Sequence, residues 1–226
     1  MKKTVILTIG QAPRADIEST YERYFAGEKA VIQAGLLDGL TKKEAETLYG
    51  VDMQSQEKLV SRLTNGQSVT MDKQKVKQGL QKKIEAFELQ GYEWIVIFCT
   101  GNFSDLHAVH ANLVEPEKVI PGQVAKLSGA GRLGIVVPLK SQALTEDAKW
   151  SVIEDKVYTA ASPYQGTKKD FLRAGKWLKE QGAKLAVLDC VGYSDSIRQV
   201  IEQAFEGPVI QSNEVVFEYV KERARE

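Results

Sequence analysis

The chain has 226 residues, 43% hydrophobic and 27% charged, with thirty Lys and Arg against thirty Asp and Glu. A chain of this length buries roughly 70% of its unfolded surface, enough for one large domain or two small lobes. The even charge balance excludes the basic footprint of a nucleic-acid binder, and no stretch reaches the ~20 apolar residues of a membrane span.

The opening MKKTVILTI pairs two lysines with an apolar run, but the run is too short for an export signal and no small-residue cleavage site follows. It reads as a buried first strand, Thr4–Ile9. Helix Asp16–Tyr24, a weaker strand Ala30–Ala34, helix Lys42–Leu48 and a weaker strand Ser68–Met71 follow. Lys73–Gln90 carries Val76, Leu80, Ile84 and Phe87 at helical spacing and stops at Gly91, a C-cap signal. Strand Trp94–Cys99 comes next, then strand Leu133–Val137, helix Gln142–Ile153 and a weaker strand Lys156–Thr159. Helix Lys169–Gln181 stops at Gly182, before strand Leu185–Asp189 and helix Asp195–Phe205. Strand Val209–Ile210 and helix Glu214–Arg223 close the chain. The strong strands are continuously apolar rather than alternating, as parallel strands covered on both faces are, and their alternation with helices predicts an α/β fold.

Residues 90–101, QGYEWIVIFCTG, have an echo in residues 181–192, QGAKLAVLDCVG. Five of the twelve positions are identical, and the two cysteines of the chain, Cys99 and Cys190, occupy the same one. With a helix before each copy, the echo predicts two pseudo-symmetric lobes: residues 1–112 plus 208–226, and residues 113–207. Without a CxxC, a Cys/His cluster or an export signal, both thiols are expected to be free in a reducing, cytoplasmic compartment.

Each cysteine lies at the carboxyl end of a predicted parallel strand, with glycine two residues later. Ligand crevices of open α/β sheets lie outside those ends. Two lobes facing each other would therefore set two sulfurs across one cleft, the arrangement that removes a proton from one face of a carbon and returns one to the other. Such chemistry needs a thiolate base and a thiol acid, with no metal and no cofactor. Since free cysteine titrates near about 8.5, the base must be tuned downward. Thr100-Gly101-Asn102 and Val191-Gly192-Tyr193 are candidates to open helix N-termini that favour thiolate and bind a substrate carboxylate. An inter-sulfur gap of roughly 6–9 Å would place each sulfur within about 3–3.5 Å of the reacting carbon.

Other strand ends add candidates. Thr8 lies at the end of the first strand, and Gly10, Gln11 and Arg14 follow it. Gln11 can donate and accept hydrogen bonds, and Arg14 can clamp a carboxylate. Ser212 and Asn213 follow the last strand, where Ser212 either caps the helix or meets ligand. Asp189 reads as a structural partner of loop backbone, and Tyr193 as a cleft or core residue. His107 and His110 share a helical spacing without a third ligand pattern and read as surface residues. The GxGxxG run at residues 129–134 enters a strand instead of opening a helix, which argues against dinucleotide binding.

TIGQAPRAD at the start, CTGNF, LDC-x-GY and QSNEV at the end occur in order along nearly the whole chain. Together they resemble the AroM protein family, which in fold is similar to the aspartate/glutamate/hydantoin racemase superfamily. The resemblance implies two α/β lobes with mostly parallel sheets around a cleft, Cys99 and Cys190 as the catalytic thiols, and Thr100 and Asn102 among the residues that hold substrate. Two departures stand out. Superfamily amino-acid racemases usually follow the second thiol with Thr-His, where this chain has Val191-Gly192, and end the first strand in Asp-Ser, where it has Thr8-Ile9-Gly10-Gln11. The expected activity is cofactor-independent α-proton transfer on a small carboxylate. Decarboxylation or isomerisation of a small dicarboxylic acid, and small-acid binding without turnover, are the alternatives. A homodimer is the base-rate assembly.

Overall fold

The computed structural model describes residues 1–129, 131–145 and 147–225. Its strands are β1 (Thr4–Thr8), β2 (Val31–Gly35), β3 (Lys58–Arg62), β4 (Ser68–Asp72), β5 (Trp94–Phe98), β6 (Asn112–Val114), β7 (Leu133–Val137), β8 (Lys156–Ala160), β9 (Leu185–Leu188) and β10 (Val209–Gln211). Its helices are α1 (Glu18–Phe25), α2 (Lys42–Tyr49), α3 (Lys73–Leu89), α4 (Pro116–Ser128), α5 (Gln142–Thr145), α6 (Lys168–Glu180), α7 (Asp195–Phe205) and α8 (Ser212–Arg223). None of them is long and apolar enough to cross a membrane.

Two parallel four-stranded sheets run β2-β1-β5-β6 and β8-β7-β9-β10. Each sheet has the order second, first, third, fourth strand of its own lobe. The echoed segments are therefore topological equivalents: each is the turn into, and the body of, a lobe's third strand. Every residue of β1, β5, β7 and β9 is buried, which accounts for their continuous apolar sequences. Alternate residues serve two cores. Val5, Leu7, Ile95 and Ile97 pack toward α2, α3 and β4. Ile6, Val96 and Phe98 face a core shared with Ile135, Val137 and Val187 of the second sheet. α1, α4 and α8 complete this shared core, where Phe98 stacks on Phe217 with ring centroids 4.9 Å apart.

The chain ends of the two lobes interlock. β10 extends the second sheet beside β9, whereas α8 packs against α1 and α4. The segment 208–226, expected with the first lobe, is thus divided, and β6 straddles the expected boundary at 112/113.

Local chemistry explains most helix limits. Thr41 and Glu44 form a capping box on α2, Thr167 and Asp170 do so on α6, and Asp72 caps α3. Gly91 and Gly182 leave α3 and α6 with φ of 76° and 73°, values that favour glycine. The helix expected over 142–153 covers only Gln142–Thr145; turns follow from 147 and carry Lys149 and Trp150 inward, while Glu146 lies outside the described residues. α4 contains Pro116 at its first position and Pro121 within it, and β3 is a mostly polar strand whose partner is β4.

The β3–β4 hairpin presses on the end of β1. A Cβ built on Gly10 would lie 2.4 Å from Ser61 Oγ and 2.5 Å from the Arg62 carbonyl oxygen. Gly10→Ala must push the hairpin away, so a loss of about 1–3 kcal/mol is expected in denaturant unfolding; an unchanged midpoint would contradict this packing.

Candidate active site

Both cysteines follow a central strand by one or two residues and line one cleft. Its walls are Ile9, Arg14, Phe98, Thr100 and Gly101 from the first lobe, residues 58–61 of the hairpin, and Pro138, Leu139, Gln142, Ser162, Tyr164, Gln165 and Val191 from the second. The cleft encloses about 710 Å³ including its open mouth. Cys99 is partly exposed and Cys190 buried, and neither forms a disulfide.

The expected helix N-termini are not what the thiols meet. No helix follows Cys99 before β6, and α7 begins only at Asp195. Each sulfur instead faces an N–H of its own loop: Gly192 N–H donates to Cys190 Sγ at 3.5 Å, and Gly101 N–H faces Cys99. Burial outweighs these donors. It pushes the Cys99 thiol up to about 12 and raises Cys190 as well, against the downward tuning expected from the sequence. Charge on Cys190 further opposes ionisation of Cys99, so the two thiols sense each other.

Arg14 is 4% exposed and lines the cleft. Its guanidinium grips Asp16 at 2.8 and 2.5 Å and donates to Thr8 Oγ1 at 3.1 Å. Thr8 thus supports Arg14 from behind, and also accepts from Gly10 N–H at 3.3 Å. Thr100 faces the cleft, and its hydroxyl donates to the Asp189 carbonyl at 3.4 Å, joining the loops of the two thiols. Val191 lines the cleft too.

Other sequence candidates sit elsewhere. Gln11 spends its amide on the carbonyls of Leu37 and Leu40, at 3.0 and 2.8 Å, and its oxygen accepts from Thr64. It ties three loops together rather than lining the cleft. Asn102 is exposed outside the cleft. Tyr193 is a core residue donating to the Ala161 carbonyl at 2.7 Å. Asn213 donates to the carbonyls of Val191 and Tyr193 at 3.1 and 2.9 Å, buttressing the Cys190 loop, and Ser212 is buried away from the cleft. Gly192 acts through its N–H and its lack of a side chain. His107 and His110 are exposed.

Lys149, Tyr164, Ser61 and Arg62 carry no local sequence signal, and Asp189 departs from its expected partner. Asp189 bonds side chains, not loop backbone: Lys149 Nζ at 2.5 Å and Trp150 Nε1 at 2.8 Å. Lys149 also donates to the Thr100 carbonyl at 3.3 Å, so one buried ammonium spans both thiol loops. Tyr164 reaches Cys190 and Arg14. Ser61 lines the cleft with a buried hydroxyl that has no hydrogen-bond partner, and Arg62 Nε beside it is likewise unpartnered. The hairpin that brings Ser61 there is pinned across the cleft, since Arg62 donates to the Tyr164 carbonyl at 2.6 Å.

Solved structures share this architecture at low sequence identity. Allantoin racemase from Klebsiella pneumoniae superposes with a TM-score of 0.63 at 16% identity, covering 97% of this chain and 86% of that one. Glutamate racemase isoform RacE1 from Bacillus anthracis gives 0.66 at 11%, covering 99% and 82%. Arylmalonate decarboxylase gives 0.60 at 13%, covering 98% and 92%. No curated protein sequence matches the chain. The fold is that of the Asp/Glu racemases, shared with a decarboxylase. Within it, the family model described as AroM protein matches residues 5–223, from the first strand to the last helix, and the chain belongs to the AroM family.

Proposed function

We propose that this protein is a cofactor-independent, racemase-like enzyme that moves a proton α to the carboxylate of a small acid, with Cys99 and Cys190 as the two acid–base groups. One thiolate takes the α-proton, and the opposite thiol delivers its own proton to the other face of the carbanion. The carrying observation is that both thiols, from equivalent strand ends, open on one cleft. Arg14 and Lys58 line the cleft with Arg62 behind the hairpin, and the unpartnered Ser61 hydroxyl is a ready donor to a carboxylate. Ile9, Leu59, Phe98, Leu139 and Val191 provide apolar surface for the rest of the molecule. A buried thiolate, once formed, is a strong base, which a weakly acidic C–H demands.

The test is deuterium wash-in by NMR, with the protein in D₂O beside amino acids, hydantoins and small mono- and dicarboxylates. Exchange at the carbon next to the carboxylate supports the reading and names the substrate class. One observation favours a binding protein on the same cleft: burial raises both thiols. Tight binding of an acid that shows no exchange would establish that reading instead.

A further inference from the structure

Two thiols placed by pseudo-symmetry would be chemically equal if their surroundings matched. They do not. Cys99 faces one neutral donor, the Gly101 N–H, and the nearest cations act on it only at a distance. Cys190 faces the Gly192 N–H and, in addition, the hydroxyl of Tyr164, whose oxygen lies 3.7 Å from its sulfur. That hydroxyl is in turn 3.5 Å from Arg14 Nη2.

We propose that Tyr164 is the positioning residue that makes the two thiols unequal: its hydroxyl, seated between Cys190 and Arg14, shares negative charge formed on Cys190 and makes that sulfur the resting base of the pair, with Cys99 the resting acid. The catalytic meaning of this rests on the two-thiol reading above. No proton leaves Tyr164; its O–H donates a hydrogen bond to the Cys190 thiolate while Arg14 supplies the nearest full positive charge.

The loop 161–167 is built to hold the ring in place. Ser162 Oγ accepts from the N–H of Tyr164 and of Gln165, both at 3.3 Å. Arg62 lies over the ring, 5.0 Å from its centroid, and bonds the Tyr164 carbonyl. Gly192 leaves the room that the hydroxyl needs: a Cβ there would be 2.5 Å from it. Burial raises the Tyr164 hydroxyl well above its ordinary range, so it stays a donor. The other groups around Cys190 are accounted for. Asp189 opposes its charge, but that carboxylate is turned to Lys149 and Trp150. Asp16 is clamped on Arg14, Tyr193 is bonded to Ala161, and Cys99 stands opposite. Tyr164 is thus the side chain whose removal should change Cys190 and spare Cys99.

The experiment is residue-resolved alkylation. Full-length protein is pulsed with iodoacetamide from about pH 6 to about pH 11, and the peptides containing Cys99 and Cys190 are quantified separately by mass spectrometry. The wild-type Cys190 curve is expected to have its midpoint below that of Cys99, whose alkylation rate, held back by burial, should still be rising at the top of this range. In Tyr164→Phe the Cys190 midpoint should rise by about one unit, so that its rate at a fixed lower pH falls about tenfold, while the Cys99 curve stays in place. Midpoints are independent of access, which a merely structural change would alter as the plateau rate. Gly192→Ala, which displaces the same hydroxyl, should shift Cys190 in the same direction should the Phe variant not fold. Equal midpoints in the wild type, or a Tyr164→Phe curve that moves neither thiol or both alike, would overturn the proposal. The titration needs no substrate, so it can fail while deuterium exchange succeeds, and succeed while exchange fails.

Discussion

Either single substitution, Cys99→Ser or Cys190→Ser, is expected to slow racemisation of an exchanging substrate by about 10²–10⁴-fold, the contribution of a positioned acid–base group. Serine keeps the shape of the side chain but replaces an ionisable thiol with a hydroxyl that does not ionise in the working pH range. Two groups that act as one machine do not add: the double variant should be no slower than the worse single variant by more than a small factor. The comparison also separates related chemistries. A two-base reaction loses turnover equally through either cysteine, whereas one-thiol decarboxylation or isomerisation loses it through one cysteine only. Both variants should melt near the wild type, because neither sulfur is cross-linked and neither substitution changes side-chain volume much. A Cys99→Ser enzyme that racemises at the wild-type rate would end the two-thiol mechanism.

Lys149→Met is expected to be the most destabilising exchange near the site. Its ammonium and the Asp189 carboxylate are 5% and 1% exposed and 2.5 Å apart. Removing the cation leaves Asp189 charged in a buried place with Trp150 as its remaining named donor. Breaking such a pair costs about 3–5 kcal/mol, which for a chain of this size lowers the melting temperature by roughly 10 °C. Methionine fills most of the volume of lysine, so the cost is electrostatic rather than a cavity. That assignment has its own check: adding Asp189→Asn should restore at least half of the loss, a coupling that only residues in contact show. A double variant as unstable as the sum of its single variants would place the cost in packing. Because Lys149 also bonds the Thr100 carbonyl, the single variant should loosen both thiol loops at once.

The fold was legible where local patterns carry it. Continuous apolar runs mark β1, β5, β7 and β9 because those strands are covered on both faces, and Gly91 and Gly182 mark the helix ends before the two echoed strands. The echo placed both thiols on one cleft for the same reason: equivalent third strands end there, so equal positions in sequence meet in space. What lacked a local pattern was missed. The polar β3 becomes a strand only through pairing with β4, as strand preference depends on what the strand packs against. α4 was hidden by Pro116 and Pro121, residues that read as breakers although the first is suited to a helix start.

The α/β class, the pseudo-symmetry, the pair of free thiols and their place at strand ends all follow from patterns along the chain. What surrounds the thiols is set by packing between distant elements. Arg14 meets Tyr164 across 150 residues, Lys149 meets Asp189 across 40, and Gln11 turns to Leu37, Leu40 and Thr64. Hydrogen bonds and ion pairs of this kind depend on distance and direction between side chains brought together by separate elements, and such pairings leave no period along the chain to read.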